Sequence, residues 1–324
     1  MNVRHANYMK KTQQVKKKTK KQHYVHQRYL DSFARDSHLY VFDKTTGDTY
    51  PSTVLNAASQ RFFYDLPELD EVAGEQQSLE KFFQPFETAV GPVLKSIRQA
   101  LYSNTFEVIT KNQRIDLSIF LAVQMLRTPE SREYFAQLSL TLHKHAFLSW
   151  LRQREPQLPL DENSFDLEMT DKQRVLTHAR AVLDNELRDQ IAEIIFQHYW
   201  VILENPFQTA FITSDHPACN HGTISLPTHS MQGLASLGAE ILFPLSPKHL
   251  LLIVEKRAFP HAAEIDGQMK MIDSPDNVIY YNHWKVRHAF RFLYSAVDDF
   301  SLARSMIKES PELSNPRNRR VGVR

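Results

Sequence analysis

At 324 residues, with 42% hydrophobic and 23% charged side chains, the chain can bury a large core, and its composition excludes wholesale disorder. Eight glycines argue against a glycine-rich phosphate loop, and the single cysteine, Cys219, can form no intrachain disulfide, which fits a reducing, cytoplasmic setting. No run approaches the roughly 18 apolar residues of a membrane span.

The net charge of +2 conceals an uneven distribution. Residues 1–22 hold eight Lys and Arg and no acid; removing these from 39 leaves 31 basic against 37 acidic side chains, so the remainder carries about −6. Residues 1–21 therefore read as a disordered basic arm, either a solvated tail or a loose polyanion binder, and they lack the apolar segment of a secretory signal. From Gln22 the spacing predicts a helix with His23, His26, Leu30 and Phe33 on one face. Its two histidines are either hydrogen-bonded at the core edge or aimed into a site, and i, i+3 is not the usual metal-binding spacing. Leu39–Phe42 and Asp48–Tyr50 flank Asp43–Gly47 as a hairpin, and acidic residues 65–75 mark a loop.

Residues 78–101 read as a helix with a core stripe of Phe82, Phe86, Ala89, Val93 and Ile97 and a cap at Ser78. Glu80 and Glu87 lie seven apart on one side. Glu87, flanked by Phe83, Phe86 and Val90, needs an arginine partner or a raised pKa. Asp116–Arg127 follows as a helix that projects Gln124 and Arg127 together. That pair suits an anionic ligand and equally suits a buried salt bridge to Glu87. Thr128-Pro129 restarts the helix, which runs to about 154, with His143 and His145 facing different ways. Residues 171–204 form a long helix or helix pair with a stripe of Ile191, Ile195, His198 and Ile202, ended by Asn205-Pro206.

The apolar run Thr209–Thr213 stops at Ser214-Asp215-His216-Pro217, and Ile241–Phe243 stops at Pro244–Pro247. Two strand ends closing in polar turns would make a rim suited to a binding site. Residues 218–239 are the longest irregular stretch and could cover that rim; His221 and His229 within it have no metal-type spacing. Strands are expected at 240–244, 248–255 and 267–272. Asp276 should cap a last helix over about 277–296 that carries Asn282, Lys285, Arg287 and Arg291. Residues 309–324 form a flexible basic tail.

Several of these segments resemble the bacterial family catalogued as domain of unknown function 4238. The likeness lies in His23-Tyr-Val-His-Gln-Arg-Tyr-Leu-Asp-Ser-Phe33, Tyr40–Lys44, the Glu80…Glu87 helix, Gln124-Met-Leu-Arg-Thr-Pro129, Phe211-Ile-Thr-Ser-Asp-His-Pro217, Phe243-Pro-Leu-Ser-Pro247 and Asn282. These span about residues 22–300 in the family's order. Many relatives carry Pro where this chain has His26, which implies no indispensable role for that histidine. The resemblance implies a fold, a residue list and a bacterial, cytoplasmic origin rather than a reaction.

The expected architecture is α+β, a mainly helical body packed against a small mixed or antiparallel sheet, with residues 22–308 as one domain. No P-loop, dinucleotide glycine fingerprint, H-E-x-x-H, C-x-x-C or G-x-S-x-G motif occurs, which lowers the standing of NTPase, dinucleotide oxidoreductase, zinc protease and α/β-hydrolase readings. One reading is a hydrolase of phosphodiesters or nucleotides, in which His23, Asp215 and Glu87 handle protons and Gln124, Arg127, Ser214 and Asn282 hold substrate. In it Asp215 is a general base or a carboxylate for a divalent metal, and no metal-ligand set is assigned. The alternatives are a non-catalytic nucleotide or nucleic-acid sensor using the lysine arm, and a structural protein in which Ser214-Asp215 is a local turn and Arg127 clamps Glu87.

Overall fold

The computed structural model describes residues 19–75, 77–103, 109–161, 163–224 and 233–318. Most of the basic arm, His229 and the end of the C-terminal tail lie outside the described residues.

The chain opens with a short strand, β1 (Lys21–His23), and one helical turn, α1 (Gln27–Leu30), continued by a 3-10 turn at Asp31–Phe33. The continuous helix expected from Gln22 is thus broken, because His23 pairs in a ribbon and His26 is the extended residue that precedes α1. The hairpin follows as β2 (His38–Asp43) and β3 (Thr49–Thr53), then β4 (Ser59–Arg61), which closes the ribbon with β1.

The helical body comprises α2 (Pro67–Ala73), α3 (Ser78–Tyr102), α4 (Lys111–Leu126), α5 (Pro129–Arg154), α6 (Asp171–Leu183) and α7 (Asn185–Gln197). Thr128 caps α5 by accepting from the Ser131 amide, with Pro129 in the first turn, where its missing N–H costs nothing. Ser78 does not cap α3. Its hydroxyl donates to Asp70 Oδ1 at 2.8 Å, and the preceding Gln77 takes a left-handed conformation, φ 55°.

The 171–204 segment ends its helices earlier than expected. His198 terminates α7, and β5 (Tyr199–Glu204) places Ile202 in a sheet, so the Ile191–Ile202 helical stripe is coincidental. Then come β6 (Thr213–Ser214), β7 (Cys219–Gly222), β8 (Ala239–Ser246), β9 (His249–Val254), β10 (Met269–Met271), α8 (Pro275–His288), β11 (Phe292–Ser295) and α9 (Ser301–Glu309). Ser274, not Asp276, caps α8, and the helix stops at His288 so that 292–295 can pair as a strand. Within the described part of the tail, the Asn318 carbonyl accepts from Gln137 on α5 at 3.0 Å.

Two sheets result. One, ordered β10-β5-β9-β8-β7, is mixed, with only the β10–β5 pair parallel; the other, β3-β2-β11-β6, is antiparallel. β9, His-Leu-Leu-Leu-Ile-Val, is buried at all six positions, as a central strand covered on both faces must be. Pro244 is tolerated in β8 because the register shifts between it and Ser246. The architecture is α+β. No helix among the described residues is long and apolar enough to cross a membrane. The main core joins Tyr24, Leu30 and Phe33 to Phe83 and Ile97 of α3, Phe120 of α4 and Phe243 of β8. Residues 23–33 are thereby threaded through the interior, with α3 and α4 laid over them.

Candidate functional site

Arg127, at the C-terminal end of α4, is 2% exposed and carries the centre of the arrangement. Its Nη1 donates to Glu87 Oε1 at 2.7 Å, its Nη2 to the His23 carbonyl, and its Nε to the Tyr64 hydroxyl at 3.4 Å. The guanidinium also lies over the Phe83 ring, 4.3 Å from its centroid. One turn earlier, Gln124 Nε2 donates to the Tyr24 carbonyl at 2.8 Å. Gln124 and Arg127 therefore grip consecutive carbonyls of the threaded segment, and Arg127's donors are engaged by the protein itself.

Four of the sequence-predicted residues, His23, Glu87, Gln124 and Arg127, thus come together, with Glu80 and His26 beside them. Burial pushes the Glu80 carboxyl up to about 7; Arg127 opposes that rise, while Glu87 and Asp65 reinforce it. Burial likewise holds His26 down at about 4, opposed by Glu87 and aided by Arg127 and Arg28. The His23 imidazole is also lowered by burial, against the pull of its 3.0 Å contact with the Leu55 carbonyl. Three solvent-shielded atoms in this neighbourhood, Glu80 Oε2, His26 Nδ1 and Gln124 Oε1, have no hydrogen-bond partner among the described residues. Glu87 keeps 32% of its side chain exposed, so solvent reaches this cluster.

The Ser214–Pro217 turn adjoins the cluster through His216, whose Nδ1 lies 2.9 Å from Thr128 Oγ1, but Ser214 and Asp215 face the chain's own backbone. Asp215 is fully buried, and its carboxylate accepts from the backbone amides of Phe290, Arg291 and Phe292 at 2.8, 2.7 and 2.8 Å. Burial pushes it up to about 6 against those amides and Lys44. Ser214 Oγ donates to the His216 carbonyl at 2.9 Å, within its own turn. Asn282 mimics a strand edge: Nδ2 donates to the Ala210 carbonyl at 2.8 Å and Oδ1 accepts from the Ile212 amide at 3.1 Å. Lys285, buried on α8, completes the hold by donating to the carbonyls of His216 and Pro217 at 2.9 and 2.6 Å. Asp215, Ser214 and Asn282 thus bind backbone, and a proton-transfer or substrate-holding role for them finds no open face.

Sequence reasoning missed Glu80 as the perturbed carboxyl and Arg28 as a neighbour of the cluster. Arg28 runs across α3 at Gly91, where a Cβ would overlap its guanidinium. A glycine in a helix interior, in a chain with eight glycines, is the signal that marked this approach. His221 forms a separate buried pair, its Nε2 3.0 Å from Glu240 Oε2 and its ring stacked on Trp284 at 4.2 Å. Among the described residues no three His, Cys, Asp or Glu side chains are placed to hold a metal ion.

Neither the curated proteins nor the solved structures contain a match to this chain. The family model described as protein of unknown function DUF4238 matches residues 21–299, which takes in both the Arg127 cluster and the Asp215 turn, and the chain belongs to that family.

Proposed function

We propose that the chain is a hydrolase of phosphodiester or nucleotide substrates, working through the Glu80–Glu87 pair. The observation that supports this reading is a pair of carboxyls in different surroundings. Glu80 is held near neutrality by burial, and Glu87 is a partly exposed carboxylate bound to Arg127. Carboxyls in environments that differ in this way serve as general acid and general base. In this scheme a water attacks phosphorus and passes its proton to Glu87. The P–O ester bond breaks, and Glu80 donates its proton to the departing oxygen. Arg127 then acts as a positioning residue for Glu87.

The test is turnover of a chromogenic phosphodiester and of nucleotides across pH 5–9, in the parent and in Glu80→Gln. Activity should be present in the parent with a limb near pH 7, and at least about a hundredfold lower in the variant. A parent inactive on every substrate, or a variant as active as the parent, overturns the reading.

A second reading, a nucleotide or nucleic-acid sensor without turnover, draws support from the lysine-rich residues 1–22 and from the arginines near the site. Salt-sensitive binding that disappears when residues 1–18 are deleted, with no hydrolysis, would favour it.

A further inference from the structure

A cavity of about 130 Å³ opens between α1, the C-terminal half of α3 and the β8–β9 turn, and its walls include Arg28, Asp31, Ser32, Arg98, Ser246 and His249. Its polar equipment is one-sided. Among its lining residues are two arginines, one histidine and four hydroxyl-bearing residues, against one acid, the exposed Asp31.

Arg98 uses a single nitrogen, Nη2, to hold the Arg28 carbonyl at 3.1 Å and Ser32 Oγ at 2.7 Å. That leaves Nη1 and Nε, and it orients the guanidinium with its plane anchored. The Arg28 guanidinium has no hydrogen bond to any described residue and is steered by Gly91, the position at which α3 offers no side chain to displace it. Arg28 on α1 and Arg98 on α3 both line the cavity, and guanidinium forks are the donors that phosphate oxygens match.

His249 supplies the deepest donor. It is 7% exposed, and its Nε2 is shielded from solvent with no hydrogen-bond partner. Its Nδ1 lies 2.9 Å from Ser246 Oγ, which itself accepts from the Lys248 amide at 3.2 Å. Taking Ser246 as the donor to Nδ1 puts the ring's own proton on Nε2. Burial and the charge of Lys248 hold the imidazole down at about 4, so it meets a ligand as a neutral donor. A buried donor with no partner calls for an acceptor from outside the fold.

We infer that this cavity is a seat for a phosphate group, held by Arg28, Arg98 and His249. The volume accommodates a phosphate and the first atoms of whatever carries it, so a nucleobase or second ester would project outward. The claim concerns binding alone: an active or inactive Glu80–Glu87 pair leaves it unchanged.

The experiment is calorimetric titration and thermal shift of the full chain with inorganic phosphate and, separately, with a nucleoside 5′-monophosphate in low-salt buffer. Three variants accompany it: Arg28→Gln, His249→Phe and deletion of residues 1–18. Saturable binding of either ligand is expected, weakened about tenfold or more in both substitutions and retained in the deletion. Tighter binding of the monophosphate identifies an ester-bound phosphate as the occupant, and equal binding identifies the free anion; both support the seat. Arg28→Gln removes a side chain on which no described hydrogen bond depends, so it keeps the test decisive if His249→Phe folds poorly. The inference is overturned by no stabilisation up to about 20 mM of either ligand, by binding unchanged in both substitutions, or by binding lost with the arm.

Discussion

Arg127 and Glu87 meet at 2.7 Å across α4 and α3, the guanidinium sealed in the core and the carboxylate reaching the surface. The pair is asymmetric, so its two halves answer mutation differently. Glu87→Ala leaves a buried cation without its counter-charge and should cost about 2–3 kcal/mol. Arg127→Ala also frees the His23 carbonyl and the Tyr64 hydroxyl and should cost about 3–5 kcal/mol. Glu87→Gln keeps an acceptor for Nη1, so it should fold close to the parent while turnover falls. Urea denaturation combined with the phosphodiester assay separates these outcomes, and equal stability losses in all three variants would contradict the asymmetry.

Asp215 is a folding residue on this evidence. Its carboxylate is the acceptor for three successive amides at the start of β11, and those amides have no other acceptor when it is gone. Asp215→Ala should destabilise by more than about 3 kcal/mol and yield little folded protein. Asp215→Asn should fall between that variant and the parent, because one amide oxygen remains. A normally stable Asp215→Ala, measured by its melting temperature, would refute this assignment.

Two sets of buried groups pull stability in opposite directions with pH. Burial holds His26 and His249 down at about 4 and His178 and His288 at about 3. The unfolded chain therefore binds more protons than the folded one below about pH 6.5, and stability drops as the solution is acidified through that range. Glu80, raised to about 7, has the opposite sign. The folded state keeps a proton that the unfolded state releases between about pH 4.5 and 7, so its contribution is full in acid and is lost as pH rises through 7. Melting curves should therefore show Glu80→Gln more stable than the parent at pH 8, converging with it below about pH 4, and steeper in its acid loss. A pH-independent difference between the two would remove the elevated carboxyl and with it the proposed general acid.

Gly91→Ala is an inexpensive check on the Arg28 seat. Alanine favours the helix by about 0.5–1 kcal/mol over glycine, and the atom it would meet is the far end of a flexible side chain. Stability should hold or rise slightly while phosphate affinity falls, as Arg28 is pushed aside. Unchanged affinity would show that Arg28 reaches the cavity without this gap.

Much of the local structure was legible in the residues themselves. The Thr128-Pro129 cap, the β2–β3 hairpin and the apolar runs of β8 and β9 follow from short-range rules of spacing and capping. The α3 stripe was half right: Val93 and Ile97 are buried, but Phe82 and Phe86 are half-buried, Ala89 is exposed, and Leu79, Phe83 and Val90 face the core instead. Elements chosen by distant partners were not legible. Phe292–Ser295 reads as the end of a helix, yet it pairs with Phe42 and its neighbours some 250 positions earlier, and no local signal encodes that choice. The Ile191–Ile202 stripe likewise satisfied helical spacing across a junction where the chain turns into β5.

The same division governs the site. Spacing brought His23, Glu87, Gln124 and Arg127 into one list, and their chemistry demanded partners because burying charge alone is costly. Whether each partner was a ligand or the chain's own backbone depended on which carbonyls and amides the fold carried past them. Threading residues 23–33 beneath α3 and α4 gave Gln124 and Arg127 the carbonyls of Tyr24 and His23 to hold, and docking β11 beside β6 gave Asp215 its three amides. Among the described residues it also left Glu80 Oε2 and His249 Nε2 without hydrogen-bond partners. The sequence alone determined which side chains must find a partner; only the tertiary structure decided which ones the protein satisfies internally, because that depends on backbone groups far away along the chain.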